Sequence, residues 1–311
     1  MSLGLLITYF NEKELLTRSL LSIAGEKSPP KEILVYDDCS EFNAESFVPA
    51  HLKGTVKIFR GTRNRGPAYG RNFLLKNSTA TYVKFHDTDD ELKPGWSEKI
   101  DDKIATENPD VILFEVDGVH ADGQRFERTI GLWEIRKGRD PVSFAIQHAI
   151  VTSSAVYRRT FLATTGAYRE DLWQSEDHEF HIRVLNHSPR VSIIEESLLD
   201  LHVREQSRSQ KFQEVWRCRL QGLKFAKEYL SSSYVQDLCD AAADVGSILY
   251  QMGDTEGAAR SFEWARSIST PQYLSRPWFY RRIAKHDPLL AESIGKIYRN
   301  LIPAFVRRAL H

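Results

Sequence analysis

The chain lacks the features that mark several protein classes. Its three cysteines, Cys39, Cys218 and Cys239, form no Cys-x-x-Cys pair and no disulfide-framework spacing, as expected of a reducing compartment. No stretch approaches the ~18–20 apolar residues that span a bilayer. The opening MSLGLLITYFN has neither a basic leader nor a small-residue cleavage site, so it reads as a first strand and not a signal peptide. Lys+Arg and Asp+Glu both number 42, which gives no net charge of either sign to mark a nucleic-acid partner or a disordered acidic chain. These absences predict a cytoplasmic protein, or one held at the inner face of the cell membrane. At 311 residues the chain can bury a large core and hold more than one domain.

What is present falls into two parts. Up to about residue 210, strand and helix character alternate. Leu3–Thr8, Glu32–Tyr36, Thr55–Phe59 and Ala80–His86 are apolar strand runs. Glu12–Ala24 carries Leu15, Leu16, Leu20 and Ile23 at helical spacing with Asn11 as its expected cap, and Pro67–Asn77 reads as a second helix. This alternation predicts an α/β domain with a mixed, largely parallel sheet flanked by helices. In such sheets ligands bind beyond the carboxyl ends of the strands. Three polar clusters, Thr8–Glu12, Asp37–Ser40 and Asp87–Asp90, all follow strands at that edge.

Residues 211–311 read as helical. The stretch ADVGSILYQMGDTEGAARSFEWARSIS places Gly246, Leu249, Ala258, Phe262 and Ala265 on the spacing of one tetratricopeptide-like helix pair, with no second clear copy. The final segment sets Leu290, Ile294, Ile297, Leu301 and Phe305 on one helical stripe. From Arg276 onward there are eight Lys/Arg against two Asp/Glu. The stripe admits two readings: an interfacial membrane helix, or a packing helix with a basic outer side.

Four short motifs carry chemistry. In KFHDTDDELKPGW, Asp87 and Asp89 stand two apart and can aim at one hard divalent cation, although an acidic solvent turn has the same composition. GTRNRGPAYGRN is neither a P-loop nor a GxGxxG fingerprint. Its Asn64, Gly66 and Gly70 allow close approach to a helix start, and Arg71 can neutralise a ligand. In TYFNE and YDDCS, Tyr9, Asp37 and Asp38 stand where a base can stack and be read, or where turns are capped. In QSEDHEFHIRVL, Ser175 can cap a helix whose first turn holds Asp177 and His178, the carboxylate serving either as capping acidity or as a base for a hydroxyl.

Taken in order, LLITYFNEKELLTRSLLSI, EILVYDDCS, NRGPAYGRN, KFHDTDD and SEDHEFHIRVL resemble a glycosyltransferase of family 2 with the GT-A (Rossmann-like) fold, over roughly residues 3–210. The resemblance implies transfer of a sugar, with inversion, from a nucleotide diphosphate sugar (UDP-sugar above all) to an acceptor hydroxyl. Acceptors would be glycans or lipid-linked glycans of cell-surface polymers, and the cofactor Mn²⁺ or Mg²⁺. Carried onto this chain, Asp37 contacts the nucleobase, lined by Thr8, Tyr9 and Glu12. Asn64 and Arg71 hold the base or diphosphate, Asp87 lies near ribose or metal, and Asp89 binds the metal. Asp177 is the catalytic base with Glu176 orienting it. His202, Arg204 and Ser207 in LDLHVREQSRS fall in a loop near metal and diphosphate, His202 being the candidate third ligand. Specificity would lie between Glu115 and Trp173, with Trp133 and Trp173 available to stack on sugar rings.

Other classes fit less well. A haloacid-dehalogenase-type phosphatase places its Asp-x-Asp after the first strand, and here it follows the fourth. A sugar nucleotidyltransferase shows a Gly-rich basic loop where this chain has TYFNEKE. A non-catalytic binding module with a docking tail has no chemical need for both Asp89 and Asp177.

Overall fold

The structure is a computed structural model and describes residues 2–203, 211–274 and 276–301, with the side chains of 127, 128 and 299–301 left aside. The chain divides into two compact units, Met1–Gln210 and Lys211–His311.

The first unit runs β1 (Leu3–Tyr9), α1 (Lys13–Ala24), β2 (Glu32–Asp37), β3 (Val56–Arg60), α2 (Pro67–Asn77), β4 (Tyr82–Asp87), β5 (Glu91–Leu92) and α3 (Trp96–Glu107). It continues with β6 (Val111–Val119), β7 (Arg125–Arg128), α4 (Trp133–Arg136), α5 (Pro141–Gln147), β8 (Ala155–Arg158), α6 (Arg159–Thr165), α7 (Glu176–Asn186) and β9 (Val191–His202). The sheet order is β3-β2-β1-β4-β8-β6-β9-β5, with β7 on β6. β1 to β4 are mutually parallel, β8 runs antiparallel to β4 and β6, and β6 and β9 are parallel. The sheet is therefore mixed, and its parallel character is concentrated in the half built from β1 to β4.

The connections decide where a site can form. β1 passes through α1 to β2 on one side, and β3 passes back through α2 to β4 on the other side of β1. The winding reverses at β1/β4, which opens a crevice at their carboxyl ends. Register brings the ends together: Tyr9 pairs with Asp37, and Thr8 with both Tyr36 and Asp87. Leu5, Leu6 and Ile7 of β1 are fully buried, as are Val83 and Phe85 of β4, which explains the unbroken apolar runs. The start of α2 lies close over these strands at Gly70. A Cβ there would stand 2.9 Å from both Thr8 Cγ2 and Tyr36 Cδ1.

One local expectation is corrected. Asn11 does not cap α1; Glu12 holds the cap position, and its carbonyl accepts the N–H groups of Leu15 and Leu16 at 3.1 Å. Asn11 is left-handed (φ 56°) and its side chain accepts the Glu41 N–H at 2.8 Å, tying the β1 loop to the β2 loop. A short polar side chain tolerates that conformation, so the residue type that suits a cap serves a turn instead.

The second unit consists of α8 (Phe212–Tyr229), α9 (Val235–Gln251), α10 (Thr255–Ile268), α11 (Trp278–Ala284) and α12 (Pro288–Leu301). The pair read from sequence is α9 with α10. Ala258, Phe262 and Ala265 are buried, and Gly246 lets the helices close: a Cβ there would stand 2.8 Å from the Phe262 ring. In α12 the apolar stripe turns outward. Leu290 and Ile297 are about half exposed, while Ala291, Glu292 and Gly295 are buried.

Candidate active site

The crevice is organised by one buried cation. Arg71, in the second turn of α2, extends Nη2 to Asp87 Oδ1 at 2.8 Å and Nη1 to Glu176 Oε1 at 2.6 Å. Its side chain is 5% exposed, so both contacts are largely screened from water. This fork joins α2, the end of β4 and the first turn of α7. Burial disfavours the charged guanidinium, but Asp87 and Glu176 outweigh it and hold Arg71 well above its ordinary value. Its Nε–H is buried and finds no acceptor among the described residues.

Asp177 stands beside the fork, half-buried at the start of α7 after the left-handed Ser175 (φ 55°). One oxygen accepts the His178 N–H at 2.8 Å. Burial and the adjacent Glu176 charge push the carboxyl up from 3.8 to about 7, with Arg71 pulling the other way. A carboxylate near 7 is matched to taking a proton at neutral pH. The Asp177 carbonyl is engaged with His181 Nδ1 at 2.8 Å, and His181 Nε2 with the Tyr157 hydroxyl at 2.7 Å. Burial lowers His181 to about 4, so its ring is neutral and acts as a hydrogen-bonding strut.

Two contacts brace the acidic turn. Thr88 donates its hydroxyl to Glu12, and Arg18 Nη2 donates to the Asp89 carbonyl at 3.0 Å. Asp90 folds inward, and burial together with Asp89 and Asp87 raises it well above the usual carboxylate range. Asp87 and Asp89 remain half-buried at the crevice. The clustered acids thus divide by place: Asp90 belongs to the interior, Asp87 is shared with Arg71, and Asp89 is half-buried with its carbonyl held by Arg18.

Two hard oxygen donors suit Mg²⁺ or Mn²⁺, which commonly take one or two protein carboxylates and complete their shell with water and substrate phosphates. Among the described residues no three His, Cys, Asp or Glu side chains converge as a ready metal site. His202 shows why. Its Nε2 meets Glu91 Oε1 at 2.8 Å, and Arg18 Nε binds the same oxygen at 2.8 Å, so the histidine is paired behind the turn. Burial, then Arg18, keep its ring below the ordinary value. Arg204 and Ser207 lie outside the described residues.

The remaining expected residues shape the walls. Asp37 is wholly buried; it accepts the N–H groups of Ser40 at 2.8 Å and Ala44 at 3.2 Å and an Arg60 N–H at 3.2 Å. It therefore fixes the loop after β2. Asp38 accepts the N–H groups of Arg65 at 2.9 Å and Gly66 at 2.7 Å, which sets the approach to α2. Tyr9 is buried, its hydroxyl donating to the Phe42 carbonyl at 3.4 Å; burial and Asp37 push it up to about 12. Thr8 stands beneath Gly70, and Asn64 is exposed on the loop before α2.

Several contributing residues were not foreseen. Arg18 reads as one charge on a helix surface, and Lys84 as an outward residue of β4. Glu115 accepts the N–H groups of Ile130 (2.6 Å), Gly131 (3.0 Å) and Leu132 (2.7 Å), fixing the entry to α4 and so the half-exposed Trp133. Trp173, named from sequence, is 56% exposed.

Removing the fork leaves Asp87 and Glu176 facing each other with no cation between them. Arg71→Met is expected to destabilise the first unit by about 3 kcal/mol, the low end for breaking a buried ion pair because Asp87 is partly exposed. Chemical denaturation checks it; an unchanged midpoint and slope would show that the fork carries no stability.

Residues 5–166 match the family model described as Glycosyl transferase family 2. The poly(ribitol-phosphate) beta-N-acetylglucosaminyltransferase TarS of Staphylococcus aureus strain MW2 is 25% identical over 201 residues, covering 62% of this chain and 34% of the relative. The chain thus spans about a third of that curated relative's length. The solved structure of S. aureus TarS 1–349 in complex with UDP-GlcNAc superposes with a TM-score of 0.68 at 20% identity, covering 96% of this chain and 92% of that one. The mannosyltransferase PcManGT from Pyrobaculum calidifontis, in complex with GDP-Man and Mn²⁺, gives 0.61 at 15% identity, covering 95% and 87%. With half of its length matched by the family model, its sheet winding and its fold neighbours in agreement, the chain belongs to glycosyl transferase family 2.

Proposed function

We propose that this glycosyltransferase moves a sugar, with inversion, from a UDP-sugar to an acceptor hydroxyl in cell-surface polymer synthesis, with the help of a divalent cation. The observation that carries the reading is Asp177: a half-buried carboxylate held near 7, next in the chain to Glu176 of the Arg71 fork. The TarS relatives support the polymer context and the uridine nucleotide, and the mannosyltransferase neighbour supports the cation.

The residues divide the work. Asp177 accepts the proton of the incoming hydroxyl as its oxygen bonds to the anomeric carbon, and the carbon–phosphate oxygen bond breaks with its electron pair leaving on the diphosphate. A single displacement of this kind needs one base and no covalent enzyme intermediate. Asp89 and Asp87 would hold the cation, which when bound neutralises charge on the leaving diphosphate. Glu176 keeps Asp177 basic through its like charge, and Arg71 keeps Glu176 from folding away.

Two outcomes test this. Asp89→Asn should lose the gain in UDP affinity that Mn²⁺ gives in a calorimetric titration, and UDP binding that Mn²⁺ does not strengthen in the parent protein would refute the cation reading. Asp177 works only when deprotonated, so transfer should rise with pH through an apparent value of about 7. Glu176→Gln removes the like charge and should move that limb to lower pH, while Asp177→Asn should bind UDP yet transfer nothing. Full transfer by Asp177→Asn would sink the base assignment. The same shift makes the folded state lose stability as pH rises from 3.8 to about 7, since the unfolded chain releases that proton first.

We also infer peripheral contact of the second unit with an anionic membrane. Leu290 and Ile297 of α12 and Trp278 of α11 are exposed, as are Arg281, Arg282, Lys285 and Lys296. Of the two acids in this segment, Glu292 is buried and accepts the Tyr280 hydroxyl at 2.5 Å. An apolar stripe among surface cations suits an in-plane helix on acidic lipid. No helix among the described residues is long and apolar enough to cross a membrane. Cosedimentation with phosphatidylglycerol vesicles, absent with phosphatidylcholine and lost in Leu290→Glu/Ile297→Glu, is the expected result; equal recovery with both lipids would reject it.

A further inference from the structure

β4 carries a second buried basic side chain, on the side opposite the fork. Strand alternation sends Phe85 toward Tyr168 and Phe180. Lys84 and His86 point the other way, where His86 Nε2 meets Ser19 Oγ of α1 at 2.9 Å. Lys84 is completely buried, and its Nζ has three contacts: the Ser153 carbonyl at 2.7 Å, His86 Nδ1 at 3.2 Å and the Phe85 carbonyl at 3.3 Å. Burying an ammonium is costly, so a lysine kept there has to be answered by fixed acceptors.

The Ser153 contact leads to the acidic turn. Ser153 lies, fully buried, in the short Thr152–Ser154 turn that precedes β8. Its hydroxyl oxygen accepts the Asp87 N–H at 3.1 Å, and the hydroxyl also hydrogen-bonds the Asp90 carboxyl. Asp90 closes the turn by donating its own N–H to the Asp87 carbonyl at 3.2 Å. One serine therefore grips both ends of the Asp87–Asp90 turn, and one lysine grips that serine. The chain of contacts thus runs from Lys84 to Asp87 at the crevice.

We propose that Lys84, acting through Ser153, is a positioning residue that sets where Asp87 and Asp89 stand for the divalent cation. The proposal rests on the cation reading given above. Without the ammonium, the Ser153 carbonyl and His86 Nδ1 lose their shared donor, the turn before β8 is released, and the Asp87 amide loses its fixed acceptor. Groups that orient metal ligands from behind commonly contribute about 10–100-fold in metal affinity.

The test uses Mn²⁺ alone, followed by electron paramagnetic resonance, and UDP with and without Mn²⁺, followed by calorimetry. Lys84→Met, close in shape but without charge, should weaken Mn²⁺ by about 10–100-fold, while UDP affinity without metal stays that of the parent. Ser153→Ala keeps the carbonyl and loses the hydroxyl, and should show the same loss. Ser153→Thr keeps both and should recover parental Mn²⁺ binding, a rescue that general destabilisation does not produce. Parental Mn²⁺ affinity in Lys84→Met overturns the proposal; if that variant does not fold, parental affinity in Ser153→Ala overturns it equally. A parent protein that binds UDP but not Mn²⁺ refutes the cation reading, and this proposal falls with it.

Discussion

The Arg71 guanidinium is the constraint on which the first unit's site depends. Two elements that approach from different directions, the end of β4 and the first turn of α7, bring acids to one crevice, and like charges in such a place repel strongly where water is scarce. A planar fork with donors on two edges resolves this, because it takes a carboxylate on each side without rotating. Lysine has no such geometry. The neighbouring features follow from the fork: Glu176 is pinned, its charge is held against Asp177, and Asp87 is kept at the mouth of the crevice while Asp90 turns inside.

Much of the architecture was legible because it is local. Leu3–Tyr9 and Tyr82–Asp87 are apolar runs of strand length, and Pro67 at the first helical position marks the start of α2. The pairing of Gly246 with Phe262 was legible too, since both lie on the repeat spacing of two adjacent helices. Less was visible of the antiparallel half of the sheet. β8 is four residues long, and what makes it a strand is the position between β4 and β6, which no local pattern announces.

The site shows the same division. Motif order brought Asp87, Arg71 and Asp177 to notice, but not that Arg71 touches Asp87 and Glu176 together. Lys84 alternates with Val83 and Phe85, so it reads as the solvent side of a strand; with its Nζ on the Ser153 carbonyl it is fully buried instead. His202 was singled out as a candidate metal ligand from its motif, and the motif does not show that its partner is Glu91. Non-local contacts decide these cases, and single-residue chemistry does not encode them.

The spacing of the fork along the chain also bears on how the protein comes to be folded. Arg71 is 16 residues from Asp87 but 105 from Glu176. The near contact can close while β4 is being laid beside β1; the far one must wait until β6, β8 and α7 have been added, at the cost of a long loop. A partly synthesised chain therefore already carries the acidic turn without the α7 acids or the Ser153 brace. The crevice is a late product of folding, and the incomplete chain has no competent centre with which to act on a donor.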